Sequence, residues 1–212
     1  MTDPRRTAPG SVGLLLIDVV NPLDFDGAEA LAPQALKAAD PILDLRHQAD
    51  ALGVPVIYVN DNYGHWTSER SRIVECAAAA SLAAGLLVPR LAPRPGDAFV
   101  IKPEFSGFYA TSLPSLLPAL GVSRLVLAGF AADICVLFTA ADAHMRQYDL
   151  WVPGDAVASE TGGHQDWALE IMRKSMSAET RPTTELDLAS WVHRRPPAGT
   201  RGQTSPLNRR DR

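Results

Sequence analysis

The sequence predicts an α/β chain: a three-layer α-β-α domain around a mostly parallel, doubly wound sheet of about six strands. Short apolar runs alternate with helical segments from residue 11 to about residue 176. The runs are almost continuously hydrophobic, as strands buried on both faces are, and do not alternate apolar with polar. Polar and reactive residues gather at their carboxyl ends, where an open parallel sheet holds its ligands.

The elements follow in order. SVGLLLID (11–18) reads as the first strand and PQALKAADPILDLRHQADALG (33–53) as the first helix. Pro41 falls inside that helix; either Asp40 caps a new helix with Pro41 at its first position, or the helix kinks there. PVIYVND (55–61) is the second strand, SERSRIVECAAAASLAAGLL (68–87) one helix, and DAFVIK (97–102) the third strand. Then come a helix in SLPSLLPALG (112–121), the strand RLVLAGF (124–130), a helix in CVLFTAADAHMRQ (135–147), a strand in DLWVPGDAVA (149–158) and a helix from His164 to Met176. Residues 1–10 and 195–212 are rich in Pro, Gly, Ser, Thr and Arg without apolar periodicity and are expected to be flexible tails, leaving a single domain over 11–194.

Composition narrows the function classes. Of the 212 residues 46% are hydrophobic and 21% charged, far from the composition of chains that stay disordered. The formal net charge is -4; the basic end, +5 from Arg194 onward, is local and leaves -9 for the remainder. Nucleic acid is therefore not expected as a partner, since phosphate binding needs a clustered positive surface. Two cysteines make no disulfide framework, no signal peptide is read at the start, and no apolar stretch reaches the roughly 18–20 residues of a membrane span, so a cytoplasmic protein is expected with no membrane partner. No nucleotide-binding glycine motif is present.

Three strand ends carry a carboxylate, an ammonium and a thiol: Asp18 after GLLLI, Lys102 after FVI, and Cys135 after the turn that follows RLVLAGF. A cysteine opening a helix gains from unpaired backbone N–H groups and the positive end of the helix dipole, which lower a thiol's pKa from its free value of about 8.5. The same N–H groups can face an oxyanion. A doubly wound sheet brings these strand ends to one edge, with charges suited to activating a thiol. Cys76 lies mid-helix and has no such company. Asp133 is placed as a cap of the helix that starts at Cys135, while His144 and His164 read as surface or cap residues.

The segments LLLIDVVNPLDF, VIKPEFSGFYATSL and GFAADICVLFTAADA resemble, in order, the three signature regions of the isochorismatase-like cysteine hydrolases, the superfamily of nicotinamidases and N-carbamoylsarcosine amidohydrolases. The resemblance runs from about residue 11 to residue 180. It implies a catalytic triad of Asp18, Lys102 and Cys135, in which the aspartate takes the thiol proton and later delivers it to the leaving amine. It implies a non-proline cis peptide between Phe130 and Ala131 after Gly129, with the N–H groups of Ala131 and Cys135 as the oxyanion hole. Ser106, Phe108 and Thr111 match a serine-aromatic-threonine pattern that shapes the loop below the site. The activity implied is hydrolysis of a small carboxamide or carbamoyl compound through a thioester, without a cofactor, in a homodimer or homotetramer. An isochorismatase-type vinyl-ether hydrolase is disfavoured, because that branch generally replaces the cysteine; a silent binding protein or thiol redox sensor on the same fold is the alternative from another class.

The sequence also departs from the family's pattern. The first motif commonly reads Asp-x-Gln-x-x-Phe, whereas this chain has DVVNPLDF, with Asn21 and Phe25 shifted. Nicotinamidases carry a metal site from an Asp-x-His segment after the second strand. Here NDNYGHW stands there, with Tyr63 at the first histidine's position; Asp61 and His65 are two candidate ligands, and no metal is expected. Phe25, Asn60, Tyr63, Trp66, Phe108 and Ile134 are the candidates for the substrate pocket, whose aromatics would suit a small substrate with a flat or apolar part.

Overall fold

A computed structural model of the chain describes residues 11–64 and 69–194, so both expected tails lie outside the described residues. Six strands form one sheet: β1 (Ser11–Ile17), β2 (Val56–Asp61), β3 (Ala98–Lys102), β4 (Val122–Phe130), β5 (Asp149–Trp151) and β6 (Val157–Ala158). The order is β3-β2-β1-β4-β5, with β6 pairing further along β4, and every pairing is parallel. The chain steps outward from β1 to β3, then returns to lay β4 on the other side of β1. The carboxyl ends of β1 and β4 thus flank the point where strand order reverses, the crevice in which such sheets hold ligands.

Side-chain alternation explains the three layers. Leu14 and Leu16 of β1, Tyr58 of β2 and Val126 and Ala128 of β4 face a core closed by α1 (Ala28–Leu52), α2 (Arg70–Ala80), α3 (Leu82–Leu91) and α7 (Leu188–His193). Leu15, Ile17, Val59, Leu125 and Leu127 face the opposite core, closed by α4 (Leu113–Ala119), α5 (Leu137–Met145) and α6 (Gly162–Met176). Both faces of each central strand are covered, which is why these strands read as unbroken apolar runs.

Three elements differ from the sequence expectation, and for α1 the structure decides between the two alternatives. α1 is one helix through Pro33 and Pro41, so no new helix starts after Asp40. The segment 68–87 is two helices, because Ser81 is extended and turns its hydroxyl to two partners: Oγ accepts from the Ala84 N–H at 3.1 Å and donates to Pro22 O at 2.8 Å. The run 149–158 is divided between β5 and β6, with the Ala156 N–H donating to Pro153 O in the turn between them. α7 was not expected: Asp187 caps it by accepting from the Ser190 N–H, and Arg124 of β4 donates to Trp191 O, Val192 O and Arg194 O at its end. Among the described residues no helix is long and apolar enough to cross a membrane.

Candidate active site

Asp18 follows β1 directly and sits in a left-handed conformation, φ 49°, that aspartate tolerates better than most residues. Its own N–H donates to Val59 O at 3.0 Å, and its Oδ1 accepts from the Asp61 N–H at 2.7 Å. Beneath it Gly129, φ 123°, lets β4 press against β1; a Cβ there would collide with the Ile17 carbonyl oxygen. The two strands at the reversal point therefore meet as closely as backbones can, one residue from the carboxylate.

Lys102 ends β3 and is fully buried. Its Nζ lies 2.8 Å from Asp18 Oδ2, 3.4 Å from Asp61 Oδ2 and 3.4 Å from Cys135 Sγ, and donates to Glu104 O at 3.2 Å. β4 ends at Phe130, the Phe130–Ala131 peptide is cis, and a π-helical turn, Ala132–Val136, then carries Cys135 into α5. Ala131 O accepts from both the Ile134 and Val136 N–H groups at 3.1 Å. Asp18, Lys102 and Cys135, distant in sequence, are thus brought to one edge of the sheet.

The charges of the three are coupled. Burial pushes the Asp18 carboxyl up, outweighing the opposite pull of Lys102. Burial also pushes the Cys135 thiol up, and the neighbouring Asp18 carboxylate adds to this against Lys102. Burial alone would lower Lys102, but Asp18 and Cys135 overcome it and hold the ammonium above its ordinary value. Burial therefore works against charging both Asp18 and Cys135 beside the single Lys102 ammonium, which Asp61 also faces. The helix N-terminus was expected to lower the thiol's pKa; here burial and Asp18 reverse that expectation.

The expected pocket residues divide. Asn60 is fully buried and its amide is spent on Val20, Oδ1 accepting from the Val20 N–H at 3.1 Å and Nδ2 donating to Val20 O at 3.0 Å. Tyr63 donates its hydroxyl to the same carbonyl at 2.8 Å, and burial holds that hydroxyl well above its ordinary pKa. Both brace the segment after Asp18. Phe108 is core, packed on Tyr148 with Arg146 over its ring, so it is not a pocket wall. Phe25 and Ile134 are exposed, and Trp66, like His65, lies outside the described residues. Ser106 and Thr111 shape the loop after Lys102: Ser106 Oγ donates to Asp142 Oδ2 at 2.5 Å and Thr111 Oγ1 to Gly107 O at 2.6 Å. Asp133 does not cap its own helix; its carboxylate accepts from Ser159 Oγ, a partner the sequence reading did not single out.

Among the described residues, the donors present do not fit a metal of the nicotinamidase kind. Asp61 Oδ1 accepts from the Tyr63 N–H at 2.7 Å, its Oδ2 has the Lys102 ammonium beside it, and Tyr63 stands where a histidine would be needed. Among the described residues no three His, Cys, Asp or Glu side chains gather into a metal site.

The isochorismatase domain model matches residues 12–185. The chain belongs to the isochorismatase family. Within it, the isochorismatase family protein YaaI of Bacillus subtilis is 39% identical over 173 residues, covering 81% of this chain and 93% of that one. The ureidoacrylate amidohydrolase RutB of Methylorubrum extorquens is 46% identical over 70 residues, 33% of this chain and 28% of its own. The N-carbamoylsarcosine amidase of Thermoplasma acidophilum superposes with a TM-score of 0.63 at 27% identity, over 84% of this chain and 99% of that one. This isochorismatase-family hydrolase thus has amidohydrolases among its neighbours.

Proposed function

We propose that this isochorismatase-family chain is a cysteine-dependent amidohydrolase that cleaves a C–N bond of a small carboxamide or carbamoyl compound. The observation that carries the reading is the position of the Lys102 ammonium, 2.8 Å from a carboxylate oxygen and 3.4 Å from a thiol sulfur. Asp18 takes the Cys135 proton as the sulfur adds to the substrate carbonyl. Lys102 stays positively charged throughout, so the anion moves from carboxylate to thiolate without leaving its counter-ion. The N–H groups of Ala131, just before the π-helical turn, and of Cys135, near its end, hold the oxyanion; one such donor contributes on the order of 3 kcal/mol to lowering the barrier.

Collapse of the adduct breaks the C–N bond. The Asp18 proton goes to the leaving nitrogen, which departs as ammonia or an amine, and the acyl group stays on Cys135 as a thioester. Water, its proton taken by Asp18, then releases the acid and restores the thiol. Splitting one hard displacement into two easier ones is the benefit of a covalent nucleophile. In this reading the enzyme is cytoplasmic, uses no cofactor, and works as a homodimer or homotetramer on a small-molecule substrate. Ammonia release from a panel of carboxamides, ureas and carbamoyl amino acids tests it: turnover abolished by Cys135→Ala supports the reading, and no turnover of any member by the intact protein overturns it.

A further inference from the structure

The turn that carries Cys135 is tied to a part of the chain outside the triad. As the second residue of the π-helical turn, Asp133 has a first-turn N–H, a donor for which a helix offers no acceptor of its own. A side chain at the N-cap is the common solution. The N-cap here is Ala131, which has no side-chain acceptor, and the oxygen is supplied by the residue just after β6: the Asp133 N–H donates to Ser159 Oγ at 3.3 Å. Ser159 Oγ in turn donates to Asp133 Oδ1 at 2.5 Å. Ser159 is fully buried, so its hydroxyl must find a partner within the protein.

The sheet explains why Ser159 is there. β6 pairs with the end of β4, Val157 opposite Gly129 and Ala158 opposite Phe130. One residue further on, the strand ladder stops and the reciprocal Ser159–Asp133 pair takes its place. On its outer side Asp133 Oδ2 has the exposed His164 at 3.5 Å, at the start of α6. Three elements therefore converge on the residue two before Cys135.

We propose that Ser159 and Asp133 form a clasp that sets the position of Cys135 and of the Ala131 N–H relative to Asp18 and Lys102. Both are positioning residues, and the inference rests on the reading of Cys135 as nucleophile. Displacing the turn by an ångström would leave binding almost intact while spoiling the line of attack.

The test uses Ser159→Ala, Asp133→Ala and Asp133→Asn in the full chain, with the best amide from the panel. A misplacement of this size costs about tenfold to a hundredfold in rate, so kcat falls by that factor in both alanine variants while KM stays within about twofold. Asp133→Asn keeps an oxygen that accepts from Ser159 and holds kcat within about threefold of wild type, by the same positioning argument. Hydrogen exchange read by mass spectrometry quickens in the peptide spanning 131–137 for both alanine variants, and not for Asp133→Asn. Wild-type kcat in Ser159→Ala overturns the proposal, as does unchanged exchange in that peptide. Ser159→Ala removes one oxygen and carries the test if Asp133→Ala does not fold. Should the wild-type protein hydrolyse no amide, the amidohydrolase reading falls, and the exchange comparison still decides whether the clasp holds the turn.

Discussion

Lys102 and Cys135 face each other at the carboxyl edge of the sheet with Nζ 3.4 Å from Sγ. The ammonium favours the thiolate, but burial of the thiol and then the Asp18 carboxylate, 2.8 Å from the same nitrogen, oppose it and outweigh it. Burial, with Asp18 adding to it, therefore makes the folded protein hold the thiol proton more tightly than a free thiol does.

Replacing the charge at Asp18 therefore separates two properties that usually fall together. In Asp18→Asn the carboxylate nearest Lys102 and the thiol is removed, leaving Asp61 as the remaining carboxylate at the ammonium, and the thiol's pKa falls. Asparagine tolerates the left-handed backbone at this position, so the fold is kept. Iodoacetamide should alkylate Cys135 faster at pH 7 in the variant than in the wild type, by about tenfold for each unit the thiol drops. Amide hydrolysis should fall about a hundredfold or more, because no acid remains for the leaving nitrogen. In the wild type, alkylation of Cys135 keeps rising as pH passes the free-thiol value of about 8.5, since the folded protein holds that proton more tightly than a free thiol does. Peptide mapping is needed to read these rates, because the exposed Cys76 also reacts.

Gly129 makes the site's geometry depend on a missing side chain. At φ 123° any Cβ is strained, and here it would also meet the Ile17 carbonyl. Gly129→Ala should lower stability by more than the about 1–3 kcal/mol of an unfavourable backbone conformation alone, because β1 must also move. Denaturant unfolding measures this; a loss below about 1 kcal/mol would show that the strands are not in enforced contact.

The three layers and the Asp18–Lys102–Cys135 edge were legible in the sequence because they rest on local signals: unbroken apolar runs, and a reactive residue where each run ends. What was not legible depends on partners far along the chain. Ser81 breaks a helix because Pro22 O lies within its reach, and nothing in SLAAG announces that. Asn60 and Tyr63 looked like pocket residues, yet their polar atoms are taken by Val20, and Phe108 went into the core. The rise of the thiol's pKa is a consequence of burial, which periodicity does not report for a single turn residue. α7 could have been found: Asp187 is a capping residue, and Leu188, Trp191 and Val192 stand at helical spacing.

Asp61 predicts the response to chelators. Its carboxylate already accepts from the Tyr63 N–H and has Lys102 beside it, so among the described residues both of its oxygens are engaged and position 63 offers no histidine. Dialysis against EDTA should leave amide hydrolysis unchanged within error, and nicotinamide should be hydrolysed poorly or not at all. Activity lost to EDTA and restored by zinc, iron or manganese, with efficient nicotinamide hydrolysis, would overturn both expectations.

The claim on which the rest depends is that Cys135 becomes acylated, and rapid acid quenching during turnover of the best amide tests it most directly. Intact mass followed by peptide mapping should find the acyl portion of the substrate, and not its nitrogen, on the peptide containing Cys135. It should be absent from Cys135→Ala and from the peptide containing Cys76. Hydrolysis by Cys135→Ala at the wild-type rate, or an acyl group mapped to any other residue, would contradict the account.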